Sequence, residues 1–131
     1  MQRSCKFIVI DDNEIDRMVT SLLIQRNLGE SDIILLNSGA DGIDWLKRHK
    51  HNVTKEIIIL LDIKMPLMDG FEFLDELDDF DESLKKSIFV FLLSSTLDPT
   101  DINRAGRHKH VKTLLSKPLI TDELNNALNA L

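Results

Sequence analysis

The sequence predicts a doubly wound α/β domain with five parallel strands in the order 2-1-3-4-5 and helices on both faces. Three observations carry that prediction. Five short branched apolar runs, at residues 7–10, 33–36, 57–61, 88–93 and 111–115, read as strands buried on both faces. Each run is followed by a segment with helical spacing, so β and α alternate five times; that calls for a parallel sheet with right-handed crossovers. The chain has 131 residues with no repeat, low-complexity stretch or Gly/Ser linker, which suits one domain.

The elements follow in order. The first strand ends in Asp11-Asp12. Asp12 or Asn13 suits the cap of a first helix that stops at Gly29, with Ile15, Met18, Val19, Leu22 and Leu23 as its expected inward face. The second strand leaves through Asn37-Ser38-Gly39 into a helix with Ala40, Ile43 and Leu46 on one face and Trp45 packing beside them. That helix ends in Lys47-Arg48-His49-Lys50, cations that complement a helix C-terminus. The third strand ends at Asp62. A loop containing Pro66 and Asp69-Gly70 leads to a third helix, expected from about Phe71 toward Phe80 with Leu74 and Leu77 inward. Residues 81–86 read as a polar link.

The fourth strand runs into Ser94-Ser95-Thr96. Pro99 marks the first position of a fourth helix, expected over about residues 100–108, with only Ile102 and Ala105 to bury. The fifth strand ends at Ser116-Lys117-Pro118. Thr121 is expected to cap a last helix with Leu124, Ala127, Leu128 and Leu131 on one face.

Composition excludes several classes. A net charge of −6 makes the surface a poor general binder of nucleic acid or anionic membrane. The single cysteine, Cys5, forms no internal disulfide and fits a reducing compartment. No apolar run is long enough to span a bilayer, and the start does not read as a signal peptide. A cytoplasmic location is expected.

In this strand order the switch point lies between strands one and three, which end in Asp11-Asp12 and Asp62. Three converging carboxylates repel one another unless they take up protons or a cation. Mg²⁺ prefers a few carboxylate and carbonyl oxygens and keeps several waters, so it suits such a shallow acidic bowl. An aspartate carboxylate such as Asp62 can attack a phosphoryl group to give an acyl phosphate. Ser94 and Lys117, at the ends of strands four and five, offer a hydroxyl and an ammonium of the kind that stabilise phosphoryl oxygens. Each residue alone has a plainer reading. Asp11-Asp12 can be a helix start, Ser94 a turn former, Lys117 a solvated lysine, and Pro66 and Asp69-Gly70 turn chemistry. The four histidines, His49, His51, His108 and His110, show no ligand spacing.

The combined set IDDNE, LLDIKMPLMDG, FLLSS and LLSKP resembles the receiver domain of bacterial two-component response regulators. This is the CheY-like family, with a flavodoxin-like fold. The likeness runs from Lys6 to the end of the chain. It implies that Asp62 takes a phosphoryl group from a phosphohistidine on a sensor histidine kinase or histidine phosphotransfer protein. It implies Mg²⁺ bound directly by Asp12, through water by Asp11, and by Asp62 and the main-chain carbonyl of Lys64. Ser94 would be the switch hydroxyl, and Lys117 would pair with the phosphoryl group. The Lys117-Pro118 bond would be cis, and backbone N–H groups near Lys64 and Ser95 would hold phosphoryl oxygens. Such a protein is no enzyme toward other substrates: it catalyses only its own phosphorylation and dephosphorylation. Residues 1–131 would form a single receiver with no output domain, either standing alone or as a fragment of a larger regulator, controlling protein partners through its fourth helix, fifth strand and fifth helix.

One departure stands out. Three residues before Lys117 the family often has an aromatic residue, and here it is Leu114. The signal is then expected to travel mainly through loop and fourth-helix shifts. Lys64 and Thr96, each two residues beyond a site residue, flank the path of a hydrolytic water, and Lys64 is expected to slow hydrolysis.

Charge is uneven. Residues 69–82 hold eight acids and no base, while 104–117 hold Arg104, Arg107, Lys109, Lys112 and Lys117 and no acid. The acidic run reads as a solvated face. The basic segment reads as a docking surface for an acidic partner or for a homodimer. Two other function classes compete. A Mg²⁺-dependent phosphohydrolase with an aspartyl nucleophile would need a second acid two residues after it, where Lys64 stands. A flavin or nucleotide binder would need a phosphate-cradling loop after strand one, where Asp11-Asp12 would repel the ligand.

Overall fold

The structure is a computed structural model that describes residues 5–29 and 31–131. The five apolar runs form β1 (Cys5–Ile10), β2 (Asp32–Leu36), β3 (Glu56–Asp62), β4 (Ile88–Ser94) and β5 (Val111–Ser116). They pair in parallel in the order β2-β1-β3-β4-β5, as the β-α alternation predicted. Between them lie α1 (Glu14–Leu28), α2 (Gly39–His49), α3 (Gly70–Leu77), α4 (Glu82–Lys85), α5 (Pro99–Ala105) and α6 (Thr121–Asn129). The fourth and fifth helices expected from the sequence are therefore α5 and α6.

The strands lack polar alternation because both sheet faces are covered. Ile8, Ile10, Ile57, Ile59, Leu61, Val90 and Leu92 pack with Ile43 and Leu46 of α2 and with Phe71, Phe73, Leu74 and Leu77 of α3. Their neighbours Phe7, Val9, Ile58, Leu60, Phe91 and Leu93 pack on the other side with Ile24 of α1 and Leu124 of α6. Pleating sends successive residues of one strand into two separate cores.

Helix starts are set by local chemistry. Asn13 caps α1 by accepting from the Asp16 N–H at 2.9 Å. Ser38 caps α2 through the Asp41 N–H at 3.1 Å. Asp69 and Glu72 form a reciprocal capping box on α3, with bonds of 2.8 and 3.0 Å. Asp98 caps α5, and Pro99 takes the first helical position as predicted. Gly29 stops α1 at φ 74°, in the left-handed region that glycine tolerates.

Several expectations need correction. Four of the five apolar positions expected inward on α1 face solvent: Ile15 is 71% exposed, and Met18, Val19 and Leu22 are also exposed. The buried side is Thr20, Ser21 and Ile24, with Leu23 half-buried. Polar contacts at both ends hold this phase. Asp16 bonds to Lys117 at 3.0 Å, and Asn27 accepts from Asn125 of α6 at 3.4 Å. The polar link over residues 81–86 contains the short helix α4, which buries Leu84 against the core. Helix α3 starts one residue earlier and ends three earlier than expected, and α5 ends at Ala105 with Ile102 exposed. Thr121 is the first residue of α6 and not its cap: Ile120 holds that position and offers no side-chain bond.

The basic segment is not a free cationic patch. Lys109 lies 3.9 Å from Glu82, Arg104 sits over the Phe71 ring at 4.3 Å, and Lys112 lies over Phe89. His110 Nε2 is 3.5 Å from Asp78, although burial lowers the imidazole pKa and Lys109 and Lys85 add to that. The acidic run and the basic segment thus partly neutralise each other. Among the described residues, no helix is long and apolar enough to cross a membrane.

Candidate functional site

The site forms where β1, β3, β4 and β5 end. In-register pairing sets Leu61 beside Ile10 and Asp62 beside Leu93, so the residues that follow β1 and those that end β3 emerge together. Asp11 is fully buried. Its N–H donates to the Leu36 carbonyl at 3.1 Å, and its Oδ1 accepts from the Asn13 N–H at 2.9 Å. Arg17 of α1 donates to the Asp11 carbonyl at 2.7 Å. Asp12 is exposed, and Asp62 is buried. One oxygen from each of Asp11, Asp12 and Asp62 lies within 4.8 Å of the other two.

Gly70 keeps the β3–α3 loop tight on the end of β3. Its N–H donates to the Ile63 carbonyl at 2.8 Å. A Cβ there would sit 3.0 Å from both the Asp62 carbonyl oxygen and Ile63 Cα, where neighbouring backbone has no room to yield. Leu67 in the same loop is fully exposed at φ 69°, a costly conformation for a branched side chain.

Lys117 reaches the acids from the end of β5, its N–H anchored on the Ser94 carbonyl at 2.8 Å. The Lys117-Pro118 peptide is cis, as the resemblance implied. Its ammonium lies 2.7 Å from Asp11 Oδ2, 3.0 Å from Asp16 Oδ2 and 3.3 Å from Asp62 Oδ1. Burial alone would lower the Lys117 pKa; contacts with Asp11, Asp16 and Asp62 outweigh it and hold the ammonium above the ordinary lysine range. Burial pushes Asp62 up to about 6, the charge of Asp11 adds to the rise, and Lys117 opposes it.

Ser94 is buried at the end of β4. Its hydroxyl donates to the Thr96 carbonyl and accepts from the Thr96 N–H at 3.1 Å, so its proton is engaged with the loop and not with Asp62. The Lys64 side chain is exposed. Leu114 is half-buried and packs on the larger core.

The structure thus brings together Asp11, Asp12, Asp62 and Lys117, with Ser94 adjacent but turned away. Sequence reasoning missed Asp16. An acid in the first turn of a helix complements the dipole whether or not it touches anything else, so its type carried no signal. Only its phase on α1, four residues beyond Asp12, pointed toward the site.

The donor set fits a hard divalent cation: all three side chains offer carboxylate oxygens, and one oxygen of each converges with the other two. Residues 7–129 match the response regulator receiver domain. A two-component response regulator from Cytophaga hutchinsonii superposes with a TM-score of 0.89 at 30% identity, covering 98% of this chain and 97% of that one. A response regulator receiver protein from Dyadobacter fermentans gives 0.86 at 30% identity, covering 96% of each. The sensory/regulatory protein RpfC of Xanthomonas campestris is 25% identical over 96% of this chain, which spans only 16% of RpfC. The chain belongs to the response regulator receiver family, a signalling class, and its strand order is that of CheY-like receivers.

Proposed function

We propose that this protein is a phosphorylation-controlled receiver of the cytoplasm in which Asp62 accepts a phosphoryl group from a phosphohistidine. The donor would be a sensor histidine kinase or a histidine phosphotransfer protein. The observation that carries the reading is the Lys117 ammonium 3.3 Å from Asp62, inside a cluster of three acids. At neutral pH a carboxyl with a pKa of about 6 is mostly ionised, so Asp62 is available as a nucleophile. An Asp62 oxygen forms a bond to phosphorus as the P–N bond to the donor imidazole breaks. Lys117 faces the oxygens on which negative charge collects. Ser94 can join it only after its hydroxyl leaves the Thr96 carbonyl. Asp11, Asp12, Asp62 and the Lys64 carbonyl would hold a Mg²⁺ ion, which supplies charge neutralisation and in-line orientation of the phosphoryl group.

A protein donor is supported by the rim of the bowl. Ile15, Leu67, Leu97 and Ile120 are large, exposed and apolar, and they sit on the loops and helix start that follow β1, β3, β4 and β5. A polar centre ringed by apolar side chains suits contact with another folded protein. Output would pass through the face formed by α5, β5 and α6, which also offers a surface for a homodimer. The only catalysis attributed to the chain is transfer onto and hydrolysis from its own Asp62.

The test is incubation with a small-molecule phosphodonor and Mg²⁺, followed by intact mass and peptide mapping. One added phosphoryl group on Asp62, absent in Asp62→Asn, is expected. No gain in mass, or a gain mapped elsewhere, overturns the reading.

A further inference from the structure

An ammonium has three N–H donors, and Lys117 has three carboxylate neighbours, Asp11, Asp16 and Asp62. Two of these belong to the acid cluster, where a divalent cation would compete for them. Asp16 does not. It projects from the first turn of α1, where the Asn13 cap fixes its N–H at 2.9 Å. Its carboxylate accepts a hydrogen bond from Lys117 Nζ at 3.0 Å, closer than Asp62 stands. The ammonium end is well shielded, with its side chain 13% exposed, whereas Asp16 is 42% exposed. Asp16 is therefore the partner left to Lys117 when Asp11 and Asp62 are otherwise engaged, and it draws the charge toward α1 and away from the β3 end.

We propose that Asp16 is a positioning residue that competes with the phosphoryl group on Asp62 for the Lys117 ammonium. The competition weakens the hold of the site on a phosphoryl group and biases the protein toward its unmodified state. This inference rests on the reading of Asp62 as the acceptor. It also accounts for the phase of α1, which leaves an apolar stripe in solvent so that Asp16 faces Lys117.

The experiment titrates the whole chain with beryllofluoride, a phosphoryl mimic, at saturating Mg²⁺, following backbone amide NMR shifts. Three proteins are compared: wild type, Asp16→Asn and Glu14→Gln. Glu14 lies in the same helical turn, is exposed, and loses the same charge without serving Lys117. Asp16→Asn is expected to bind the mimic about three- to fivefold more tightly, the scale of a half-exposed ion pair. Glu14→Gln is expected to change by less than about twofold, since exposed charges are screened over that distance. An unchanged or weakened affinity in Asp16→Asn, or an equal gain in Glu14→Gln, overturns the proposal. A purely structural role for Asp16 would lower the unfolding temperature without tightening the mimic, which also counts against it. If wild type takes up no mimic at all, the acceptor reading itself falls, and that result is distinct from a wild type that binds with no difference among variants.

Discussion

Asp62 is a carboxylate held where ionisation is costly. Burial and the Asp11 charge raise it from 3.8 to about 6 despite Lys117. A carboxyl raised in the folded state binds more protons there than in the unfolded chain. Stability therefore falls as pH rises from about 4 to 6, and the full cost is present at pH 7. Asp62→Asn is expected to stabilise the fold at pH 7, without divalent cations, by about 1–2 kcal/mol after discounting for solvent at the mouth of the site. The gain should vanish below about pH 3, where the wild-type carboxyl is protonated in both states. Urea denaturation in chelator at the two pH values measures this. A gain of equal size at both would mean that the carboxylate is not strained by charge.

At the level of elements, α1 separates hydrophobic composition from burial. Leu22 is exposed beside Met18, Leu35 and Leu36, whereas Ile24 is fully buried against the α6 side of the sheet. Leu22→Gln should change stability by less than about 0.5 kcal/mol, as surface substitutions do. Ile24→Ala should cost about 2–4 kcal/mol from lost transfer energy and the cavity left behind. Chemical denaturation of the two variants distinguishes this orientation from the one that the apolar spacing predicted; a large loss in Leu22→Gln would restore the inward stripe.

For the whole molecule, a divalent cation held by the acid cluster would make folding and cation binding one equilibrium. Three carboxylates at one sheet edge repel one another; Lys117 offsets part of that cost, and a bound divalent cation would offset more. Mg²⁺ at about 100 times its dissociation constant should add roughly 2.7 kcal/mol of stability by mass action. Asp12→Asn should lose most of that gain while retaining the core, because Asp12 is exposed. Thermal unfolding with Mg²⁺ and with chelator reads the difference. A similar Mg²⁺ shift in both proteins would place the cation outside this cluster.

The strands, their order and the chemical residues at their ends were legible in the linear chain. A run such as Ile57-Ile58-Ile59-Leu60-Leu61 has few other uses than a doubly buried strand, and a parallel sheet must bring its strand ends to one edge. The helical rim was less legible. Apolar spacing on α1 named a stripe, but the helix turns that stripe to water because Asp16 and Asn27 bind partners from elsewhere in the chain, Lys117 and Asn125. The basic segment looked free because Glu82 and Asp78, its neighbours in space, lie far from it in sequence. The order of amino acids by itself determined which groups stand at the carboxyl edge, since backbone pairing and residue period are local rules. Tertiary packing alone decided which of them share the Lys117 charge, because a distance between distant residues is set by the whole fold and by no single stretch of it.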